Sequence, residues 1–198
     1  MEELICRVEN LKANDISSQI SERLQEFKSL GKKSSNEIFK ELCFCILTAN
    51  YTAEGGIRIQ KEIGDGFLKL SEKQLAKKLK ELGHRFPNTR ANYIVNARKL
   101  KDNLVLERDW LVQNVKGLGM KEASHFLRNI GYENYAIIDF HILDLLAVHG
   151  IIEKPKSLSR TRYLEIEAQL KQLADTLGMN LAELDMYLWF CETGTVLK

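Results

Sequence analysis

The sequence predicts an all-α fold, and three observations support this prediction. Apolar residues recur at spacings of three and four along most of the 198 residues, as they do on one face of an α-helix. The strong helix formers Leu, Glu, Lys and Ala dominate the composition, and there are only two prolines, Pro87 and Pro155. No segment of useful length alternates apolar and polar residues, so no strand is predicted.

In the first half of the chain, most predicted helices follow a residue whose side chain can cap a helix. The predicted ranges are 16–30, 36–48, 53–63, 72–82 and 88–100. The candidate caps, for all but the first of these, are Ser34 or Ser35, Thr52, Ser71, and Asn88 or Thr89. Gly64 ends the third helix, and residues 83–87 are predicted to form a loop.

The same periodicity predicts five more helices in the second half of the chain. Their ranges are 108–114, 121–130, 139–149, 158–177 and 181–190. Residues 115–120 form a turn between the first two, Gly131 ends the second, and Asp139 starts the third. The region 153–159 is predicted to be an exposed connection.

The composition is ordinary for a soluble globular protein, with 44% hydrophobic and 28% charged residues. No apolar run approaches the ~20 residues that a membrane span needs, and residues 1–10 carry too many charges for a secretory signal. The four cysteines lack the paired spacing of a zinc site, and Cys43 and Cys45 are expected in the core. We therefore expect a reducing, cytoplasmic compartment.

Basic residues are concentrated between positions 73 and 101, where Glu81 is the only acid. Nine basic residues lie there: Lys73, Lys77, Lys78, Lys80, Arg85, Arg90, Arg98, Lys99 and Lys101. Such a run is either a solvated helical face or a surface that binds phosphates. Charge alone leaves both interpretations open.

The segment 115–121, Val-Lys-Gly-Leu-Gly-Met-Lys, is the most informative part of the sequence. Its two glycines, Gly117 and Gly119, allow the chain to reverse tightly between two helices. Such a hairpin directs backbone N–H groups toward the start of the next helix, where they can bind a phosphate oxygen. An ordinary connection between helices has the same spacing, so the motif alone does not decide between them.

Together, residues 115–123 and the Ala-Ile-Ile-Asp-Phe-His segment at 136–141 resemble the hairpin and Asp loop of the helix-hairpin-helix glycosylases. Lys121, the tail 189–198 and the lack of an extra N-terminal domain are similar to the compact archaeal-type 8-oxoguanine DNA glycosylase/lyases. The resemblance covers about residues 37–198. The Gly-x-Gly hairpin alone is weak evidence, but it is strong when joined to the lysine and the aspartate.

The resemblance implies a two-lobed helix-hairpin-helix glycosylase fold with the active site in the cleft between the lobes. One subdomain would be about 36–135 and contain the hairpin, and the other would combine about 1–35 with 136–198. The implied enzyme is a monomer that excises 8-oxoguanine from double-stranded DNA and cleaves the abasic site by β-elimination. In a prokaryote it would be associated with the nucleoid.

Lys121 is the expected nucleophile, and Asp139 is its expected partner. Lys121 starts a predicted helix, where the dipole and partial desolvation disfavour the ammonium form. The neutral amine would attack the sugar C1′ and form a Schiff base. Asp139 would stabilise the cationic sugar and help to deprotonate Lys121, although an aspartate here is also a plausible helix N-cap.

The resemblance also implies contacts with the DNA strands. Asn50 would contact the strand opposite the lesion, and Arg85 and Phe86 would push into the duplex as the base flips out. His141 matches a phosphate-contacting position. The simpler alternatives are a polar helix end for Asn50 and an ordinary, partly exposed histidine.

Three further residues are candidates for recognition of the flipped base. His125 lies one helical turn after Lys121 and would face the same cleft. Trp189 would offer a stacking surface, although its spacing also fits the core. Lys198, the last residue, would help to distinguish the oxidised base, where a frayed terminus is the alternative.

No cofactor is expected for catalysis. The iron–sulfur cysteine cluster of some superfamily members is absent from the sequence, which argues against the pyrimidine-lesion and adenine-mismatch branches. The hairpin of the family can hold a structural cation through backbone carbonyls, which by position would be those of Gln113, Val115 and Leu118.

Two other functions remain alternatives. A monofunctional glycosylase for alkylated or mispaired purines would use water and would not need Lys121. A non-enzymatic DNA-binding module would use the hairpin alone and would not need Lys121 and Asp139 together.

Overall fold

The computed structural model describes residues 1–198 and confirms the all-α prediction. It contains twelve α-helices and one short 3₁₀-helix, Lys101–Asn103. The α-helices are α1 Glu2–Lys12, α2 Ile16–Leu30, α3 Ser35–Thr48, α4 Ala53–Ile63, α5 Gly66–Lys69, α6 Glu72–Glu81, α7 Pro87–Arg98, α8 Arg108–Asn114, α9 Met120–Asn129, α10 Phe140–Val148, α11 Arg160–Thr176 and α12 Leu181–Thr193. None of these helices is both long enough and apolar enough to cross a membrane.

Several predicted helix boundaries were wrong. Helix α7 begins at Pro87, which had been assigned to the preceding loop. Proline fits the first position of a helix because the N–H that it lacks has no partner there. Helix α1 was not predicted, because only Leu4 and Val8 form its buried face. Helix α12 continues to Thr193, beyond its predicted end at residue 190.

Two of the caps predicted for the first half of the chain are present. The Thr52 side chain accepts a hydrogen bond from the Gly55 N–H at the start of α4. Ser71 and Gln74 form a reciprocal capping box on α6. Ser34 occupies the N-cap position of α3, but its side chain makes no capping bond. These short-range contacts explain why the beginnings of α4 and α6 could be read from sequence.

The chain divides into two compact units. One, here called the hairpin unit, comprises residues 29–130; the other, the terminal unit, combines residues 1–28 with 131–198. The sequence placed these divisions at about 36 and 135. The first division falls near the end of α2, and the second falls directly after α9.

Helix α3 is the central helix of the hairpin unit, where it contacts α4, α5, α7 and α9. Its residues from Phe39 to Thr48 are buried with the exception of Lys40, which is only partly exposed. A helix that is apolar around most of its circumference is stable only when it is surrounded by other elements. Cys43 and Cys45 are fully buried, as predicted, and burial raises the pKa of the Cys43 thiol.

A buried polar network joins α3 to α4 and α9. The Asn129 amide donates to Glu41 Oε1 at 2.7 Å, and the Gln60 amide donates to Glu41 Oε2 at 3.0 Å. Arg128 Nε donates to Asn129 Oδ1 at 3.0 Å. Buried polar groups are stable only when they are hydrogen-bonded, so this network fixes the orientation of α9 within the unit.

In the terminal unit, α12 packs against α1, α10 and α11. Arg7 donates to the carbonyl of Cys191 at 2.5 Å, and Lys12 donates to the carbonyl of Leu177 at 2.7 Å. The first and last parts of the chain therefore fold together, although they are far apart in sequence.

Candidate active site

The hairpin connects α8 to α9, and its two glycines have different conformations. Gly117 has a φ of +92°, and a Cβ added there would lie 2.2 Å from Cδ2 of Tyr93. Glycine is therefore required both by the backbone and by the packed ring. Gly119 is extended, with φ −94° and ψ −173°, and its N–H donates to Glu122 Oε2 at 3.1 Å. The positive φ that favours glycine is therefore found at Gly117 and not at Gly119.

Substitution of the two glycines by alanine is expected to have unequal effects. Gly117→Ala should lower the stability of the protein by about 2 kcal/mol or more, because it adds a left-handed alanine and a steric overlap with Tyr93. The matched control is Gly119→Ala, where the new Cβ meets only the end of the Glu122 side chain at 3.1 Å. Thermal melts and duplex binding would be measured for both variants. Equal losses of stability in the two would show that Gly117 is not the glycine that the hairpin requires.

Lys121 lies in the first turn of α9, as predicted, and its side chain is 26% exposed. Its Nζ is 3.8 Å from Oε1 of Glu122. The amine is therefore partly desolvated and close to a carboxylate. No sequence motif indicated a role for Glu122.

His125, one turn after Lys121, is 8% exposed, and its ring packs edge-on against Phe44 with centroids 5.7 Å apart. This burial gives His125 a packing role in the hairpin unit. Its contact with the base stays a prediction.

Asp139 is the N-cap of α10, and its Oδ1 accepts a hydrogen bond from the Ile142 N–H at 3.0 Å. The segment before it is also held firmly. The Tyr163 hydroxyl donates to the carbonyl of Ala136 at 2.6 Å and accepts from the Ile138 N–H at 3.2 Å. The capping interpretation is confirmed, and the cap fixes the direction of the carboxylate that we expect to act in catalysis.

Aromatic residues accompany Asp139 in the terminal unit. His141 packs edge-on against Trp189, with centroids 5.5 Å apart, and its Nδ1 is 3.7 Å from Glu192 Oε1. Trp189 and Lys198 are both half-buried. Phe140 is 63% exposed, and the centroid of its ring lies 3.9 Å from the centroid of the His141 ring. The sequence did not indicate Phe140, because an aromatic residue in an apolar helix is normally buried.

Asn50 lies at the end of α3, in a turn that is joined to the loop before α7. Asn50 is exposed and has a left-handed φ of 59°. Arg90, which is buried, donates to the carbonyl of Ala49 at 2.5 Å. The Tyr51 hydroxyl donates to the carbonyl of Gly83 at 3.3 Å. The hairpin unit therefore fixes this turn and this loop to each other.

His84 organises the same loop. Its Nδ1 accepts a hydrogen bond from the Phe86 N–H at 3.0 Å, so its Nε2 carries the proton that is donated to the carbonyl of Leu47 at 3.0 Å. Burial lowers the pKa of His84. The neutral ring thus fixes the backbone beside Arg85 and Phe86, both of which are exposed.

The roles of His84 and Arg90 were not predicted. Arg90 shares a helix face with the buried residues Ile94 and Ala97, at spacings of four and seven. That pattern was a signal in the sequence for an inward-pointing arginine.

Three of the nine basic residues at 73–101 are buried or partly buried. Arg90 is buried, Arg98 Nε donates to the carbonyl of Phe67 at 2.8 Å, and Lys101 forms an ion pair with Asp102 at 2.5 Å. The other six are exposed: Lys73, Lys77, Lys78, Lys80, Arg85 and Lys99. At most these six residues can therefore face phosphates, and whether the run binds DNA stays a prediction.

No group of three or more His, Cys, Asp or Glu side chains could hold a metal ion. The cation expected at the hairpin would instead use backbone carbonyls. The carbonyl of Val115 accepts a hydrogen bond from the Leu118 N–H at 3.2 Å. A carbonyl oxygen has a second lone pair, so this turn is compatible with a cation. The ligation by Gln113, Val115 and Leu118 stays a prediction.

Comparisons with known proteins agree with this arrangement. The family model described as 8-oxoguanine DNA glycosylase matches residues 20–179. The chain is 55% identical to an 8-oxoguanine DNA glycosylase/AP lyase of Methanocaldococcus jannaschii, over 98% of this chain and 99% of the relative. It is 54% identical to the protein of the same name from Korarchaeum cryptofilum, over 100% and 99% of the two chains.

Solved structures of other proteins are also similar to this chain. The crystal structure of the Methanocaldococcus jannaschii 8-oxoguanine glycosylase/lyase in complex with a 15mer DNA containing 8-oxoguanine matches with a TM-score of 0.95 and 54% identity. That match covers 99% of this chain and 100% of the other. The 8-oxoguanine DNA glycosylase of Thermotoga maritima matches with a TM-score of 0.94 and 46% identity, over 100% and 99% of the two chains. The chain therefore belongs to the family of 8-oxoguanine DNA glycosylases.

Proposed function

We propose that this protein is a bifunctional DNA repair enzyme that excises 8-oxoguanine from double-stranded DNA and then cleaves the strand at the abasic site. The observation that carries the proposal is the position of Lys121. Lys121 lies in the first turn of α9, directly after the glycine hairpin, and its side chain is only 26% exposed. An amine with these surroundings is suited to act as a nucleophile.

The reaction starts when the neutral Lys121 amine attacks C1′ of the damaged nucleotide. The Nζ–C1′ bond forms as the N-glycosidic bond breaks, and the bonding electrons leave with the base. The sugar ring then opens: the C1′–O4′ electrons move to O4′, which takes up a proton, and a Schiff base forms. Loss of a C2′ proton expels the 3′ phosphate, which is the β-elimination.

Asp139 would stabilise the positive charge that develops on the sugar as the base leaves. Its capping bond to Ile142 holds the carboxylate in one direction, so little reorganisation is needed during the reaction. His141, at the start of the same helix, would contact a phosphate.

Recognition of the DNA would involve both units. In the hairpin unit, Asn50 would contact the opposite strand, and Arg85 and Phe86 would fill the space that the flipped base leaves. In the terminal unit, Trp189 would stack on the base, and Lys198 would contact its oxidised edge. We expect the protein to act as a monomer beside the chromosome of a prokaryotic cell.

Borohydride trapping on duplexes with and without 8-oxoguanine tests the proposal. The bifunctional enzyme forms a covalent adduct with the lesion duplex, because borohydride reduces the Schiff base. A monofunctional glycosylase would release the base without an adduct, and a DNA-binding module would do neither. Either of these results would overturn the proposal.

Duplex binding should weaken steeply with salt, because the exposed basic residues release counterions from the DNA. Each neutralised phosphate contributes about −0.9 to the slope of log K against log salt concentration. Arg85→Gln should reduce the slope by about one unit, whereas Lys171→Gln, whose lysine is paired with Asp175 in the terminal unit, should not change it. A wild-type slope shallower than about −2 would show that the basic run is only a solvated face.

A further inference from the structure

Lys121 and Glu122 form a close pair that is unusual for consecutive residues in a helix. Neighbouring side chains normally point about 100° apart around a helix and do not face each other. Here Nζ of Lys121 and Oε1 of Glu122 are 3.8 Å apart, and the two side chains are only 26% and 16% exposed. A partly desolvated pair of this kind interacts more strongly than an ion pair in bulk solvent.

The cap of α9 explains this geometry. Glu122 is the third residue of the helix, and its Oε2 turns back to accept the Gly119 N–H at 3.1 Å. The capping bond uses one carboxylate oxygen and leaves the other beside Lys121. The helix dipole favours the carboxylate and disfavours the ammonium at this end. Arg90 of α7 also interacts electrostatically with Glu122, so this carboxylate is faced by a guanidinium as well as by the amine that must lose a proton.

We infer that Glu122 accepts the proton of Lys121 before the attack on the sugar. Help in this step was expected from Asp139, which keeps its expected role of stabilising the cationic sugar. This inference rests on the proposed function of Lys121. One proton moves from Nζ to the Glu122 carboxylate, so the ammonium becomes a neutral amine, the carboxylate becomes a carboxylic acid, and the net charge of the pair is unchanged. Glu122 acts through Lys121 and is a positioning residue that prepares the nucleophile.

A purely electrostatic role of Glu122 would have the opposite consequence. If the carboxylate only stabilised the ammonium, its removal would free the amine and accelerate the reaction at neutral pH. If the carboxylate accepts the proton, its removal leaves only Asp139 or solvent as the acceptor and slows the reaction. The direction of the change therefore distinguishes the two roles.

The test is Glu122→Gln, which keeps an oxygen that can accept the Gly119 N–H but removes the proton acceptor. Single-turnover rates of borohydride-trapped adduct would be measured from about pH 6 to about pH 10. At neutral pH we expect a loss of about 100-fold. The deficit should narrow as the pH rises, because hydroxide then replaces the carboxylate. The same behaviour is expected on a duplex with a preformed abasic site, since Schiff-base formation there needs the same neutral amine.

Glu107→Gln is the matched control, because it removes an exposed carboxylate at the start of α8, and it should leave the pH profile unchanged. A faster Glu122→Gln enzyme, an unchanged profile, or a loss of constant size at every pH would each overturn the inference. Failure of the wild-type enzyme to form any adduct would instead overturn the proposed function.

Discussion

Lys121→Gln is expected to abolish both base release and borohydride trapping, while duplex binding stays close to that of the wild type. Glutamine has a polar head and similar length, but its amide has no nucleophilic lone pair. Loss of a nucleophile commonly lowers the rate by a factor on the order of 10⁴ or more. Base release would be followed by chromatography on an 8-oxoguanine duplex, and binding by fluorescence anisotropy.

Lys116→Gln is the matched control for the loss of a positive charge in the hairpin. Lys116 is exposed, and its Nζ lies 5.7 Å from the centre of the Tyr93 ring. This variant should bind DNA slightly more weakly and still form the adduct. If Lys121→Gln formed the adduct at the wild-type rate, the nucleophile would be another residue.

Glu41→Ala is expected to cost about 3–5 kcal/mol of unfolding free energy, the largest stability effect that we predict. The substitution removes the acceptor of the buried Asn129 amide and one of the two acceptors of the Gln60 amide, which also donates to the carbonyl of Lys40. It also leaves a cavity, because Glu41 is only 2% exposed. The melting temperature, measured by circular dichroism, should fall by roughly 10 °C.

Two variants separate this network from general effects on α3. Glu41→Gln keeps one oxygen acceptor and should lose less stability than the alanine variant. Glu37→Ala, on the same helix, removes only a partly exposed ion pair with Lys40 and should cost about 1 kcal/mol or less. Equal melting temperatures for Glu41→Ala and Glu37→Ala would show that the network contributes little.

Local sequence determined most of the helices and the position of the proposed nucleophile. The caps Thr52, Ser71 and Asp139 were predictable because a cap bonds to the N–H only two or three residues later. Lys121 was predictable in the same way, because the glycine hairpin and the helix that follows it are adjacent in the chain.

The tertiary structure decided which residues of one type have which role. Gly117 and Gly119 are equivalent in sequence, but only Gly117 lies against the Tyr93 ring with a left-handed φ. Arg85 and Arg90 belong to the same basic run, yet Arg85 is exposed and Arg90 is buried.

The same holds for the contacts that organise the candidate site. Glu41 and Asn129 are 88 positions apart, and their hydrogen bond exists only because α3 and α9 pack together. His84 meets the end of α3 across a separation of 37 positions. Helical periodicity and caps depend on neighbours within one or two turns, so sequence determines them, whereas burial and long-range hydrogen bonds depend on how the helices pack.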